Sequence, residues 1–120
     1  MDVLLVEDDA SLADGIARIL LGAGHAVEAR SSGSDALEAT RCRRFDLMLL
    51  DIGLPGIDGY EVLRRLKLNP LHQHIPVVIL TASDLGKSAQ QRALALGAVR
   101  YLEKPMASGD LLAEIERILS

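Results

Sequence analysis

Asp2-Val3-Leu4-Leu5-Val6, followed at once by Glu7-Asp8-Asp9, is the stretch whose reading decides the fold. Four consecutive apolar side chains leave no polar face. A strand there must be covered on both sides, as in a parallel sheet flanked by helices. The form recurs twice: Leu47-Met48-Leu49-Leu50 stops at Asp51, and Val77-Val78-Ile79-Leu80 stops at Thr81. Ala26-Val27-Glu28-Ala29 and Arg100-Tyr101-Leu102-Glu103 are weaker runs, suited to the sheet's edges.

Between these runs the apolar spacing turns helical. Leu12, Ile16, Ile19 and Leu20 share one helical face, with Ser11-x-x-Asp14 as a capping box and Gly24 as the stop. A second helix is expected from about Ser34 to Arg43, with Ala36, Leu37 and Thr40 inward. A third starts near Asp58, carries Val62, Leu63 and Leu66, and ends before Asn69-Pro70. A fourth holds Ala89, Ala93 and Leu96 and ends at Gly97. The last takes Ser108 as N-cap and buries Leu111, Leu112, Ile115, Ile118 and Leu119. The order βαβαβαβαβα predicts an α/β doubly wound sheet with right-handed crossovers and helices on both faces. Five short strands suit the order 2-1-3-4-5, whose switch point lies between the first and third strands.

Composition agrees with one folded domain across residues 1–120. The chain is 49% hydrophobic and 25% charged, with no low-complexity tract, which excludes disorder, collagen and coiled coil. Its net charge of −4 argues against direct nucleic-acid binding. A single cysteine, Cys42, cannot form an internal disulfide, so a reducing cytoplasm is the expected location. There is no basic leader, and no apolar run nears the roughly 18 residues of a membrane span. No membrane association is therefore expected, and no output domain is expected within residues 1–120, which suits either a stand-alone single-domain protein or a domain excised from a larger one.

The switch point places Glu7, Asp8 and Asp51 at neighbouring strand ends. Two unit charges about 4 Å apart repel by about 4 kcal/mol at an effective dielectric near 20, so three carboxylates do not gather for stability. A raised pKa, a lysine or a hard cation must offset them. Mg²⁺ suits a few carboxylate oxygens plus water, and Lys104, at the end of the fifth run, is the internal counter-charge. Taken singly, Asp8 or Asp9 could cap the first helix, Asp51 could be a turn residue and Thr81 a cap. Rival phosphate sites fail. No G-x-x-x-x-G-K-[ST] is present, and Gly22-Ala23-Gly24 follows a helix instead of a strand. Glu-Asp-Asp after the first strand would repel a flavin phosphate. No acid stands two residues after Asp51, as aspartyl-phosphate phosphatases require.

Together these residues resemble one family, the receiver domain of two-component response regulators, including its single-domain chemotaxis type. The resemblance covers the whole chain. Its carriers are Val6-Glu7-Asp8-Asp9, Leu50-Asp51-Ile52-Gly53-Leu54-Pro55-Gly56-Ile57-Asp58-Gly59, Thr81-Ala82, Gly97-Ala98 and Tyr101-Leu102-Glu103-Lys104-Pro105. The spacings of 43, 30 and 23 residues between Asp8, Asp51, Thr81 and Lys104 make the ordered set specific. The resemblance implies a flavodoxin-like fold of five helices on the five-stranded sheet. It implies Asp51 as phosphoacceptor, Asp8 and the Gly53 carbonyl as further Mg²⁺ ligands, and Glu7 assisting through a water. Lys104 and Thr81 would hold phosphoryl oxygens, Tyr101 would be the aromatic switch, and small Ala82 would keep the approach open. Lys104-Pro105 resembles the family's cis peptide.

The implied function is a phosphoacceptor switch. A histidine kinase or phosphotransfer protein donates, and the face made by the fourth helix, fifth strand and fifth helix responds. Slow self-dephosphorylation follows, and no enzyme in the ordinary sense is expected. The implied state is a monomer or a weak phosphorylation-dependent dimer, with the downstream effector unassigned. Gly97-Ala98-Val99-Arg100-Tyr101 departs from the acidic motif of a salt-bridged dimer face, and Met106 stands where phenylalanine is frequent. Gly53 and Ser83 are the expected tuners of phosphorylated lifetime. The His72-Gln73-His74 pair lacks a third ligand and reads as solvated, and Cys42 reads as a surface thiol. The rival functions are a Mg²⁺-dependent phosphohydrolase using the same crevice and a docking module that is never phosphorylated.

Overall fold

The three apolar runs form the centre of a parallel sheet in a computed structural model that describes residues 1–81, 86–104 and 106–120. The elements in chain order are β1 (Asp2–Val6), α1 (Ala10–Gly22), β2 (Ala26–Arg30), α2 (Gly33–Cys42), β3 (Leu47–Leu50), α3 (Gly59–Leu68), β4 (Val77–Thr81), α4 (Gly86–Ala95), β5 (Arg100–Glu103) and α5 (Ser108–Leu119). The strands lie in the order β2-β1-β3-β4-β5, all parallel, as the doubly wound reading expects. Ala82, Ser83 and Pro105 lie outside the described residues.

The strand period of two explains why the central runs are apolar throughout. Leu4, Val6, Met48, Leu50, Val77 and Ile79 face one way, onto α2, α3 and α4. Val3, Leu5, Leu47, Leu49, Val78 and Leu80 face the other, onto α1 and α5. Burying one such side chain stabilises by about 1.5–3 kcal/mol, so the two layers hold the central strand ends in fixed register. The edge strands alternate more openly: β2 has no fully buried residue, and in β5 only Leu102 is buried.

Helix interiors match the periodicity, and two helix starts correct it. Asp9, not Ser11, caps α1, its Oδ1 accepting the Leu12 N–H at 3.1 Å. The helix already begins at Ala10, which puts Ser11 inside its first turn. Ser108 is likewise the first residue of α5 and not its cap. Ala107 takes the cap position, its carbonyl receiving the Leu111 N–H at 3.0 Å, and its methyl makes no side-chain cap bond. Leu111 and Ile115 are buried, while Leu112, Ile118 and Leu119 are partly covered. Gly24 ends α1 as expected. At φ +92° it lets its own N–H reach Leu21 O at 3.0 Å and the His25 N–H reach Leu20 O at 3.1 Å.

Candidate functional site

Val6 pairs with Leu50 across β1 and β3, so the next residues leave the sheet side by side at its carboxyl edge. Asp51 is tied there by its N–H to the Val6 carbonyl at 3.0 Å, and Glu7 by its N–H to the Arg30 carbonyl at 3.0 Å. Glu7, Asp8 and Asp51 each offer a carboxylate oxygen within 4.8 Å of the others. They form the one such acid, histidine or cysteine cluster among the described residues. Asp8 is exposed and Asp51 partly so.

Glu7 is the buried member, at 5% exposure. Burial pushes its carboxyl above the ordinary value, and the charge of Asp51 adds to that. The Lys104 ammonium and the Asp9 N–H, bonded at 3.2 Å, pull the other way. Lys104 pairs directly with Glu7 Oε1, its side chain only 9% exposed. Of the three offsets for crowded carboxylates, the protein thus uses two: a raised pKa and a lysine. A third remains open to a cation. A compact set of carboxylate oxygens, with no nitrogen or sulfur ligand among them, suits a hard ion such as Mg²⁺.

The remaining candidates surround this crevice. Gly53 stands two residues beyond Asp51, exposed, with its N–H 3.4 Å from Asp51 Oδ1. Thr81 ends β4, fully buried, opposite Glu103 of β5, one residue before Lys104. The Lys104 N–H donates to the Thr81 carbonyl at 2.9 Å, which ties those two strand ends together. Tyr101 pairs with Ile79 on β5 and packs, half-buried, against the α2–α4 layer. Asp9 is not in the carboxylate cluster, because its side chain serves the α1 cap. His72 and His74 line a separate cavity of about 210 Å³ with Cys42 and Arg41, formed by the end of α2 and the loops before β3 and β4, and no metal-spaced cluster arises there.

One neighbour escaped the sequence reading. Gly59, the first residue of α3, approaches the Asp51 carbonyl so closely that no Cβ fits between them. Gly59 closes the stretch from Leu50 that carries the family resemblance and directly follows the N-cap Asp58, but neither signal tells of the contact with Asp51.

The comparisons with known proteins agree with this geometry. The family model described as "Response regulator receiver domain" matches residues 3–116. The chain is 40% identical over its whole length to the transcriptional regulatory protein ZraR of Escherichia coli O157:H7, covering 26% of that protein. It is 37% identical over 99% of its length to the response regulator MprA of Mycobacterium leprae, covering 51% of it. The chain therefore spans about half or less of the length of these curated relatives. The crystal structure of the BeF3-activated N-terminal receiver domain of Klebsiella pneumoniae RstA superposes with a TM-score of 0.92. The identity is 32%, over 99% of this chain and 98% of that one. No helix among the described residues is long and apolar enough to cross a membrane. By sequence, topology and the acidic cluster at the carboxyl edge of its sheet, the chain belongs to the response regulator receiver domain family of two-component systems.

Proposed function

We propose that Asp51 accepts a phosphoryl group from a phosphohistidine on a histidine kinase or phosphotransfer protein, in the cytoplasm. The observation that carries this reading is three carboxylates with oxygens within 4.8 Å of one another, beside a lysine ammonium buried on one of them. A carboxylate oxygen of Asp51 attacks phosphorus. The P–N bond to the donor imidazole breaks, and the electron pair leaves with that nitrogen. Such a transfer needs an in-line nucleophile and positive charge on the equatorial oxygens, and little else.

Asp8, Asp51 and the Gly53 carbonyl would hold Mg²⁺, with Glu7 acting through a water. When bound, the ion supplies positive charge to the phosphoryl oxygens. Lys104 has three N–H donors and uses one on Glu7, so it can engage a phosphoryl oxygen while staying near its partner. Thr81 would turn its hydroxyl to another oxygen, and Tyr101 would follow. Ala82 would leave the approach open. The phosphoryl group carries roughly two negative charges where the Asp51 carboxylate carried one, a net gain of about one at the end of β3. The α4–β5–α5 face is the element that such a local change would bias. Water attacking the same phosphorus returns Asp51 and inorganic phosphate, so the domain resets itself. The proposed state is a monomer or a weak dimer on phosphorylation.

Acetyl phosphate with Mg²⁺ should give a base-labile adduct on the wild type and none on Asp51→Asn. An adduct of equal yield on Asp51→Asn would move the acceptor elsewhere, and multiple turnover of simple phosphomonoesters would favour a phosphohydrolase.

A further inference from the structure

The start of α3 rests on the peptide that joins Asp51 to Ile52. A Cβ built on Gly59 would sit 2.5 Å from the Asp51 carbonyl oxygen, 2.7 Å from Ile52 Cα and 3.1 Å from the Asp51 carbonyl carbon. All three are backbone atoms, so no side-chain rotation relieves the contact. An ordinary approach begins near 3.4 Å, and something must therefore move by most of an ångström. Hydrogen bonds keep the loop closed at this point: the Ile52 carbonyl accepts the N–H of both Gly59, at 3.0 Å, and Leu54, at 2.9 Å.

Neither wall can recoil freely. On one side the Asp51 N–H is bonded to β1, and Leu50 before it is fully buried in the central strand. On the other side Val62, Leu63 and Leu66 of α3 are fully buried. Tyr60 ties α3 to α4 through its hydroxyl on the Ala89 carbonyl at 3.4 Å and the Arg92 guanidinium 4.0 Å from its ring centroid. The soft part is the Asp51–Ile52 peptide and the exposed residues just beyond it, Gly53, Pro55 and Gly56. That peptide aims the Asp51 carboxylate and, two residues on, the Gly53 carbonyl.

We propose that Gly59 is a positioning residue for phosphoryl acceptance. Its missing side chain lets α3 seat against the Asp51 peptide and so sets the direction of the Asp51 carboxylate and the Gly53 carbonyl. It touches neither phosphorus nor metal and acts through the backbone. The inference rests on Asp51 being the phosphoacceptor.

Gly33→Ala is the matched comparison. Its Cβ would also be crowded, 2.5 Å from Val62 Cγ2, 2.8 Å from Ile57 Cγ1 and 3.1 Å from the Ile57 carbonyl oxygen, but the two closest atoms are side-chain carbons that can shift, and none belongs to Asp51 or Ile52. Both variants should melt below the wild type. Folded Gly59→Ala should bind Mg²⁺ roughly tenfold or more weakly by calorimetry, as when the support of a metal ligand is disturbed. Its phosphorylation by acetyl phosphate at saturating Mg²⁺ should slow by about tenfold or more, since sub-ångström misplacement of a nucleophile is costly. Gly33→Ala should match the wild type in both. Wild-type values in Gly59→Ala, or equal losses in Gly33→Ala, would overturn the proposal. Should Gly59→Ala fail to fold, the wild-type amide spectrum decides. The Gly59 N–H resonance should shift along the same Mg²⁺ saturation curve as that of Asp51, and a Gly59 signal that stays still would also overturn it. A wild type that forms no adduct would undo the phosphoacceptor reading instead, while the Mg²⁺ titrations still judge Gly59.

Discussion

Glu7 carries a carboxylate at 4% side-chain exposure, and Lys104 is the cation that makes this tolerable. Removing one partner of a buried pair strands the other, at a cost of about 3–5 kcal/mol when the survivor stays charged. Lys104→Ala should therefore lower stability at neutral pH by about 2–3 kcal/mol, the low side being set by the nearby Asp9 N–H that still serves Glu7. The pH dependence follows from Glu7's raised pKa. A carboxyl whose folded pKa lies above its unfolded value favours the folded state below the unfolded pKa, and that gain is lost as pH rises through the folded pKa. Without Lys104 the folded pKa climbs further, so the deficit of the variant should shrink as pH falls toward the ordinary glutamate value of 4.5. Paired thermal melts in chelator at neutral and mildly acidic pH read this directly. A deficit that is constant with pH would mean that Lys104 contributes packing alone.

At the scale of elements, apolar periodicity located all ten, and the errors fell at helix starts. Ser11-x-x-Asp14 and Asp9-x-x-Leu12 both satisfy the spacing of an N-cap. The choice depends on how soon the chain can turn after β1, a distance that no local pattern encodes. The structure turns at once, and Asp9 is spent on the cap. Asp9 therefore drops out of the carboxylate set, although Glu7-Asp8-Asp9 looks uniform in the sequence. Asp9→Ala should cost about 1 kcal/mol, as loss of an N-cap commonly does. It should leave Mg²⁺ affinity unchanged, because the Asp9 N–H to Glu7 survives and its carboxylate is not among the clustered oxygens. A calorimetric Mg²⁺ titration beside a denaturation curve separates the two effects. A clear fall in Mg²⁺ affinity would return Asp9 to the site. The Gly59 contact was illegible for a similar reason: it joins the two ends of one loop, and glycine carries no side chain whose pattern could announce it.

Across the whole molecule, the apolar runs separated central strands from edge strands, but they say nothing of which run neighbours which. The order 2-1-3-4-5 came from the count of strands and the family resemblance. Handedness then determines that α1 and α5 cover one face and α2, α3 and α4 the other. That topology makes the site a property of the entire sheet, since its groups leave the ends of β1, β3, β4 and β5. An ion that binds only the assembled carboxylates must then stabilise the whole fold. At about 100 times its dissociation constant, Mg²⁺ should add about 2.7 kcal/mol. For a domain of this length that raises Tm by roughly 10 °C. Asp8→Asn should melt a few degrees above the wild type in chelator, because it relieves repulsion at an exposed position where only part of the ~4 kcal/mol pair energy is felt. The same variant should gain almost nothing from Mg²⁺. Sodium chloride at matched ionic strength separates specific binding from screening. It should give the wild type only the modest rise expected of screened surface charges. Equal melting in Mg²⁺ and in sodium chloride would show that the three carboxylates tolerate one another without a metal, with Lys104 and the raised Glu7 pKa as their only offsets.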